Sequence, residues 1–461
     1  MQFKTLSYKN STELLFGQSR NPVHLKNGMT LGAGRVHPEI NFTLPDMNIN
    51  ESTWSKVIDE YKLTISNILK RAAELECGEI VVEFETLPEM TSNPAWAEEI
   101  CKILLDKMHQ EYDKSGLKSV LRMTPNDNRE MERPPQMRSG FYLDKMRETF
   151  DRTALAGADM LSIESVGGKE LHDDALLMCD IQGVLFSQCV LGVRDMRFIW
   201  EDICSIAEAN DSIAAGDTAC GFGNTAMMLA HQRLIPKVFA AVVRPITAVR
   251  SLVAYETGAV GPGKDCGYEN PILKAITGMP MSMEGKAASC AHLSPLGNIA
   301  AATCDLWSNE SVQNLKLLGG FAPTCSLEQL EYDCRLMNLA LTHNYGPPQQ
   351  YRDMMVDSDS FLDPQAYVLT PDNVITFADT IVNASDYYQA GKEVALKAVE
   401  VLRDGHSRQL TQIPGKDMSF LDMIENSVKT MPESEDDFIN QMMGVVDTSK
   451  FRPKDYGIND N

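Results

Sequence analysis

Three residues of this chain combine the side-chain types of a catalytic metal site. Glu164 stands at the end of a β-rich segment, whereas Cys220 and Cys266 each lie in a polar loop rich in glycine. Two thiolates and one carboxylate bind zinc well and leave the fourth tetrahedral position free for a substrate, which is typical of catalytic rather than structural zinc. The spacing alone does not single these residues out, because the sequence contains neither a Cys-x-x-Cys pair nor a His-Glu-x-x-His helix.

Most of the other cysteines are predicted to have no chemical role, whereas the sequence leaves the roles of Cys290 and Cys325 open. The chain has 11 cysteines, an odd number that fits poorly with a complete disulfide framework. Residues 1–10 contain no apolar signal core, so we expect reduced thiols in a cytoplasmic protein. Most should be small buried side chains that fill the core. These are Cys77, Cys101, Cys179, Cys189, Cys204, Cys304 and Cys334. His172, in a Leu-His-Asp-Asp stretch, looks like a metal motif, but we expect it to cap a helix or to face solvent.

The elements that must position the three candidate ligands alternate between short β-rich runs and helical stretches. Repeated strand-then-helix units predict parallel strands joined by crossover helices. An open doubly wound sheet would carry a Gly-x-Gly-x-x-Gly loop after its first strand, but Glu85-Thr86-Leu87-Pro88 follows here. We therefore predict an α/β fold, a (β/α)8 TIM-type barrel, whose reactive groups lie at the carboxyl ends of the strands. The β-rich runs are residues 79–85, 119–123, 159–164 and 212–217.

Helical patterns at both ends of the chain predict additional segments around the barrel. Apolar residues recur on one side of residues 54–72, and a second apolar stripe runs through residues 394–402. Thr370-Pro371 is typical of a helix start, because proline is favoured at the first helical position. The predicted parts are an N-terminal helical segment (1–77), the barrel with the metal site (78–345) and a C-terminal helical lobe packed on the barrel (346–461).

The composition limits the classes of partner. Lys and Arg number 42 against 64 Asp and Glu, which gives a formal net charge of -22. Nucleic acids and anionic membrane surfaces attract clustered cations, so this balance argues against both as partners. No run reaches the roughly 18 uninterrupted apolar residues of a membrane span. Residues 234–253 are apolar, but their pattern fits a strand as well as a helix.

Three stretches around the candidate ligands resemble one known family. Each is similar to the zinc-binding subunit of methanol:corrinoid methyltransferase from methanogenic archaea, and the likeness runs the whole length of the chain. The resemblance implies a barrel that holds one zinc ion through Glu164, Cys220 and Cys266. The stretches are Ala-Asp-Met-Leu-Ser-Ile-Glu-Ser-Val-Gly-Gly-Lys-Glu at 158–170, Gly-Asp-Thr-Ala-Cys-Gly-Phe-Gly-Asn at 216–224 and Gly-Pro-Gly-Lys-Asp-Cys-Gly-Tyr at 261–268.

The same resemblance implies an activity and partners. Zinc would activate methanol, and the methyl group would pass to Co(I) of a corrinoid, feeding methanogenesis. A small partner protein would carry the corrinoid and dock over the carboxyl-terminal mouth of the barrel, and the zinc subunits would pair within a heteromeric complex. Asp217 and Lys264 lie near the ligands in sequence and are candidates for groups that support them.

Three alternative functions remain compatible with these residues. A zinc-thiolate alkyltransferase with another methyl donor or a thiol acceptor would use the same ligands. A non-catalytic scaffold for a corrinoid protein would bind no zinc. A corrinoid methyltransferase for another small methylated substrate, such as a methylamine, would differ in the size of its pocket.

Overall fold

The central element of the fold is a sheet of seven parallel strands. A computed structural model of the chain describes residues 1–44, 47–285, 295–312, 316–317 and 320–459. The strands are β1 (Gln18–His24), β2 (Thr30–Ala33), β3 (His37–Thr43), β4 (Glu79–Glu85), β5 (Lys118–Thr124), β6 (Met160–Ile163), β7 (Ile213–Asp217), β8 (Ser282–Glu284), β9 (Leu306–Val312), β10 (Lys316–Leu317) and β11 (Gly320–Phe321). In the main sheet they lie in the order β7-β6-β5-β4-β3-β9-β8, and every pairing in it is parallel.

This sheet is curled, and both of its edges are bonded to one segment, residues 260–263. Val260 N donates to Ala214 O of edge strand β7 over 2.9 Å, and Ser282 N of edge strand β8 donates to Gly263 O over 3.2 Å. The segment contains two glycines and a proline, which weaken a strand ladder. The predicted eight-fold barrel is therefore found as a curled parallel sheet with seven assigned strands.

The antiparallel hairpin of β1 and β2 packs into the concave side of this sheet at the amino ends of its strands. Apolar residues from the amino-terminal or middle part of five strands meet the hairpin there. They are Val81, Val120, Met160, Ala215 and Leu306 from the sheet, with Val23, Leu25, Met29 and Leu31 from the hairpin. Burial of this apolar surface stabilises the curl, and it leaves the carboxyl ends of the strands available for chemistry.

Beyond the apolar layer, the concave side of the sheet is polar. The fully buried guanidinium of Arg122, on β5, donates to Glu39 Oε1 over 2.6 Å, to Ser162 Oγ over 2.9 Å and to Pro262 O over 3.0 Å. These partners come from β3, β6 and segment 260–263, so the guanidinium connects parts of the sheet that are not neighbours. A buried charge of this kind is stable only when it is paired and hydrogen-bonded.

The polar interior explains why β3 could not be recognised from the sequence. This strand lies within residues 1–77, for which a helical segment was predicted. The prediction is correct for the helix Trp54–Glu74 but wrong for β1, β2 and β3. Glu39 and Asn41 are buried in the sheet, so β3 lacks the apolar pattern of a core strand.

Helices connect the strands and cover the outer face of the sheet. The helices are α1 (Trp54–Glu74), α2 (Pro88–Ser92), α3 (Pro94–Ser115), α4 (Phe141–Ala156), α5 (Lys169–Leu177), α6 (Ile181–Leu185), α7 (Val193–Ala209), α8 (Thr225–His231), α9 (Lys237–Thr257), α10 (Asn270–Thr277), α11 (Gly297–Ala301), α12 (Ala322–Thr342), α13 (Gln349–Ser360), α14 (Pro364–Tyr367), α15 (Pro371–Asn383), α16 (Tyr387–Ser407), α17 (Gly415–Lys429) and α18 (Glu435–Met443). Helix α3 packs on β5, α7 on β7, and α12 on β3 and β9. These contacts are those of crossover helices on a parallel sheet.

Residues 234–253, which fitted a strand as well as a helix, lie mostly in α9. Within the part of the chain that the structure describes, α9 is the helix long and apolar enough to cross a membrane, and its apolar window is completely buried inside the protein. It packs against α7 and α16. We conclude that α9 is a core helix.

The C-terminal residues form helices α13 to α18 over the described part of 346–461. Thr370 is the N-cap of α15 and Pro371 occupies its first turn. Helix α15 packs on α10, and α16 packs along α9. Close to the C-terminus, the Tyr456 hydroxyl accepts a hydrogen bond of 3.1 Å from Gly168 N, which ties the end of the chain to the loop after β6.

Candidate metal centre

The three predicted ligands lie together at the carboxyl ends of the strands. Glu164 directly follows β6, Cys220 begins a π-helical turn (Cys220–Asn224) after β7, and Cys266 lies in the loop that leads from segment 260–263 to α10. One ligand atom from each of the three side chains lies within 4.8 Å of the other two. Cys266 Sγ is 2.9 Å from Glu164 Oε1, although these residues are 102 positions apart in the sequence.

A close approach between β7 and segment 260–263 helps to place the two cysteine loops. A Cβ atom at Gly216 would lie 2.8 Å from Gly263 Cα, a separation that real Cβ atoms essentially never show. Glycine is therefore required where these backbones touch. Cys220 and Cys266 follow the two contact points within a few residues, so the contact limits the distance between their sulfur atoms.

Asn224 connects the two cysteine loops. Its Nδ2 donates to Cys220 Sγ over 3.6 Å and to Cys266 O over 3.2 Å. Its Oδ1 accepts a hydrogen bond of 2.9 Å from the buried guanidinium of Arg244, on α9. Sequence reasoning missed both residues. Asn224 belongs to the stretch 216–224, which carries the family resemblance. Arg244 lies in an apolar stretch in which nothing indicated a polar contact.

The close approach of Cys220 and Glu164 disfavours ionisation of the Cys266 thiol. The hydrogen bond with Cys220 raises the pKa of the Cys266 thiol well above its usual value, and burial and the neighbouring Cys220 and Glu164 add to the effect. A divalent cation reverses this balance, because it favours the ionised form of each ligand. The donor set of two sulfur atoms and one carboxylate oxygen fits zinc with one coordination position left for a substrate.

The cluster borders a cavity of about 160 Å³. Glu164 lines this cavity and its side chain is 39% exposed, whereas Cys266 is buried. Glu85, Glu130 and Lys169 also line the cavity. A space of this size holds several molecules as small as water. The arrangement can therefore present a small polar substrate to a metal held by the three ligands.

Lys264 lies beside this cluster, inside a second group of acidic residues. Its fully buried ammonium is 3.1 Å from Glu83 Oε1, 2.7 Å from Asp265 Oδ1 and 3.3 Å from Glu164 Oε1, and it also contacts Glu85. Burial by itself lowers the pKa of Lys264, but the carboxylates of Asp265, Glu83 and Glu85 outweigh burial and hold this pKa well above its usual value. Likewise, burial favours a protonated Asp265, but Lys264 outweighs it and lowers the pKa of Asp265 to about 2.

Asp217 and Lys264 were both predicted to support the ligands, and their contacts with the candidate site differ. Lys264 contacts the candidate ligand Glu164 directly. Asp217 accepts hydrogen bonds of 2.7 Å from Ser165 Oγ and 3.0 Å from Trp200 Nε1. Asp217 therefore holds the residue that follows Glu164, and it acts through the loop rather than on the ligand atoms.

His172 is buried, so the expectation that it caps a helix or faces solvent is wrong. Its ring lies 4.9 Å from that of Phe222, centroid to centroid, and Nδ1 is 3.2 Å from Ser187 Oγ. Burial lowers the pKa of His172 to about 3, which keeps the ring neutral. His172 thus packs beneath the turn that carries Cys220. The residues around it in the sequence, Lys169, Glu170, Asp173 and Asp174, are polar and suggested that His172 is exposed. In a helix as short as α5, the sequence pattern does not show clearly which face is buried.

The fold and the site together define a class of protein, one in which a curled parallel sheet presents a candidate metal site of two cysteines and one glutamate at the carboxyl ends of its strands. A family model described as methanol-cobalamin methyltransferase B subunit (MtaB) matches residues 1–457. The chain therefore belongs to the family of methanol-cobalamin methyltransferase B subunits.

Two further similarities support this assignment. The chain is 39% identical, over 467 residues and 99% of each chain, to a methanol–corrinoid protein co-methyltransferase from Methanosarcina barkeri (strain Fusaro / DSM 804). It is also similar to a chain in the crystal structure of the methanol:cobalamin methyltransferase complex MtaBC from Methanosarcina barkeri, with a TM-score of 0.94, 37% identity and 99% of both chains covered.

Proposed function

We propose that this chain is a methanol:corrinoid methyltransferase that binds one zinc ion through Glu164, Cys220 and Cys266. It transfers the methyl group of methanol to Co(I) of a corrinoid carried by a partner protein. The observation that carries this proposal is the convergence of the three side chains beside a cavity, in a member of the methanol-cobalamin methyltransferase B family. The activity named for the Methanosarcina barkeri relative supports the reaction.

The chemistry divides between the metal and the side chains. When bound, zinc supplies Lewis-acid activation of the methanol oxygen, which is otherwise a poor leaving group. Cys220 and Cys266 anchor the ion from the protein side, and the partly exposed Glu164 faces the cavity. The negative charges of two thiolates and a carboxylate exceed the positive charge of the ion by one. An ion held by these donors would therefore withdraw electron density from the methanol oxygen less strongly than an ion held by three histidines. The departing oxygen therefore needs a proton from the protein.

We assign the supply of this proton to Glu130, which lines the same cavity as Glu164. Burial raises the pKa of Glu130, while Lys169 partly opposes the shift. Asp127 also lines the cavity, but both of its carboxylate oxygens already accept hydrogen bonds from Arg129, of 2.8 Å and 2.6 Å. Glu130 thus holds a proton to a higher pH than an exposed carboxyl group does.

Glu130→Gln is expected to lower methanol turnover by about 10²- to 10⁴-fold, the usual contribution of a general acid. Zinc content should remain at the wild-type level, because Glu130 is not a ligand. Turnover and bound metal are measured on the same preparation, with the exposed Glu89→Gln as the control. Undiminished turnover in Glu130→Gln would remove this residue from the reaction.

Glu164→Gln is expected to weaken zinc binding by about 10-fold or more, because a neutral amide is a poorer ligand than a carboxylate. Competition with a chromogenic chelator measures the affinity. Glu79→Gln serves as the control, since Glu79 is at the opposite, amino end of β4. Equal zinc affinities of Glu164→Gln and wild type would contradict the assignment of Glu164 as a ligand.

The proposed reaction is tested by mixing the zinc-loaded protein with methanol and Co(I) cobalamin, and following methylcobalamin by its absorption spectrum. We expect methylation that depends on both methanol and zinc. A non-catalytic scaffold would produce no methylcobalamin. A thiol-directed alkyltransferase would instead methylate an added thiol in the absence of any corrinoid.

The similarity to a chain of the complex named MtaBC leads to proposals about assembly. A corrinoid is broad and flat, so we propose that its small carrier protein docks over the carboxyl-terminal mouth of the sheet, where the cavity beside Glu164 opens. Zinc subunits would pair within this complex, which would be cytoplasmic. We further propose that segment 260–263 takes the place of the eighth strand of a TIM-type barrel. Residues 346–461 would form a lobe that packs on this barrel. Co-purification of a corrinoid-containing protein with this chain tests the docking.

A further inference from the structure

Glu83, Glu85 and Asp265 have the geometry of a second metal cluster, since one oxygen from each lies within 4.8 Å of the other two. These three carboxylates already enclose a cation, because each contacts the ammonium of Lys264. An ammonium has three N–H donors to share among them. A metal ion at the same place would lie beside a buried positive charge and be repelled. The acidic group therefore serves to hold Lys264.

The fourth contact of this ammonium is with a candidate zinc ligand. Nζ of Lys264 lies 3.3 Å from Glu164 Oε1, the same oxygen that is 2.9 Å from Cys266 Sγ. The Glu164 side chain is 39% exposed, whereas that of Lys264 is fully buried, so the ammonium is the fixed member of the pair. Contact with a fixed ammonium selects the Glu164 rotamer that keeps Oε1 beside the cysteines.

The same ammonium also holds the backbone of Cys266 through Asp265. Asp265 Oδ1 accepts a hydrogen bond of 2.7 Å from Lys264 Nζ and another of 2.9 Å from Cys266 N. Its second oxygen accepts one of 2.9 Å from Ser308 Oγ on β9. Lys264 and Asp265 thus fix the Cys266 loop to the sheet while Lys264 orients Glu164.

From these contacts we infer that Lys264 is a positioning residue of the metal site, which orients Glu164 and fixes the Cys266 loop. The inference rests on the proposed function to the extent that the three ligands bind zinc.

Lys264→Met tests the inference, because methionine keeps most of the length of lysine without its charge. We expect zinc affinity to fall by about 10- to 100-fold, as for other partners that orient a metal ligand. The absorption spectrum of the Co(II)-substituted protein should change as well, because it reports the geometry of the ligands. Chelator competition and this spectrum are measured together with the midpoint of urea unfolding.

Lys274→Met is the matched control. Lys274 is also fully buried, and its ammonium donates to Asp305 Oδ1 over 2.9 Å, to Thr303 O over 2.9 Å and to Leu15 O over 3.0 Å. Its removal leaves an unbalanced buried carboxylate, as the removal of Lys264 does, but none of these contacts is with a zinc ligand. We expect Lys274→Met to destabilise the protein while zinc affinity and the Co(II) spectrum stay unchanged.

If Lys264→Met does not fold, the double variant Lys264→Met/Asp265→Asn replaces it. Asparagine removes the negative charge of Asp265, and its Oδ1 can still accept the hydrogen bond from Cys266 N. The same loss of zinc affinity is expected. Wild-type affinity and spectrum in the folded variant would overturn the positioning role. Failure of the wild-type protein itself to bind zinc would instead contradict the proposed function.

Discussion

Cys266→Ala is expected to lose zinc and methanol-dependent methyl transfer together. The substitution removes one of two thiolates and leaves Cys220 and Glu164 as a pair of ligands, too few to hold a catalytic zinc ion tightly. We expect zinc affinity to fall by more than about 100-fold, beyond the cost of losing a residue that only orients a ligand. Metal analysis after dialysis and the Co(I) cobalamin assay measure the two losses on one preparation.

Cys101→Ala is the control for this experiment. Its thiol is also fully buried, but it donates to Thr153 O over 3.7 Å, on the outer side of the sheet between α3 and α4. Cys101→Ala should keep zinc and turnover, and Cys220→Ala should behave like Cys266→Ala. Full metal content together with full turnover in either of the latter two variants would remove that cysteine from the site.

Arg122→Met is expected to lower the free energy of unfolding by about 3–5 kcal/mol, the usual effect of breaking a buried ion pair. The substitution leaves Glu39 buried without its guanidinium partner, and Ser162 and Pro262 lose a hydrogen-bond donor. The midpoint of urea unfolding, followed by circular dichroism, measures the change. Adding Glu39→Gln should recover part of the loss, because it removes the unpaired charge.

A surface ion pair provides the comparison. Arg147 Nη2 lies 2.6 Å from Asp202 Oδ2, and the side chains of Arg147 and Asp202 are 36% and 30% exposed. Water screens this pair, so Arg147→Met should cost less than about 1 kcal/mol. Equal unfolding midpoints for Arg122→Met and Arg147→Met would show that the polar interior does not stabilise the fold.

Where consecutive apolar residues mark a strand, the sequence predicted it closely, even though Glu83 and Arg122 of these strands face the polar interior. Residues 79–85 match β4, and residues 119–123 lie within β5. Both strands are covered by helices on the outside and contribute apolar side chains inside, so their pattern is plain. By contrast, β3 was missed, and β8 and β9 were not located, because buried polar residues such as Glu39, Ser282 and Ser308 interrupt their short apolar runs.

The candidate site shows the same limit. Glu164, Cys220 and Cys266 could be named from their motifs, and the structure brings them together. The contacts around them could not be predicted, because they depend on residues from distant strands. Glu83, for example, reads as an ordinary exposed position of a strand, yet it is buried against Lys264. A charged residue inside a curled sheet has no local pattern that distinguishes it from a charged residue on the surface.

X-ray absorption at the zinc edge of the purified protein tests the claim that two cysteines and one glutamate hold a zinc ion. We expect one zinc ion per chain, with two sulfur neighbours at about 2.3 Å and the remaining neighbours oxygen at about 2.0–2.2 Å. Protein without bound zinc, or zinc surrounded by nitrogen and oxygen alone, would contradict the claim.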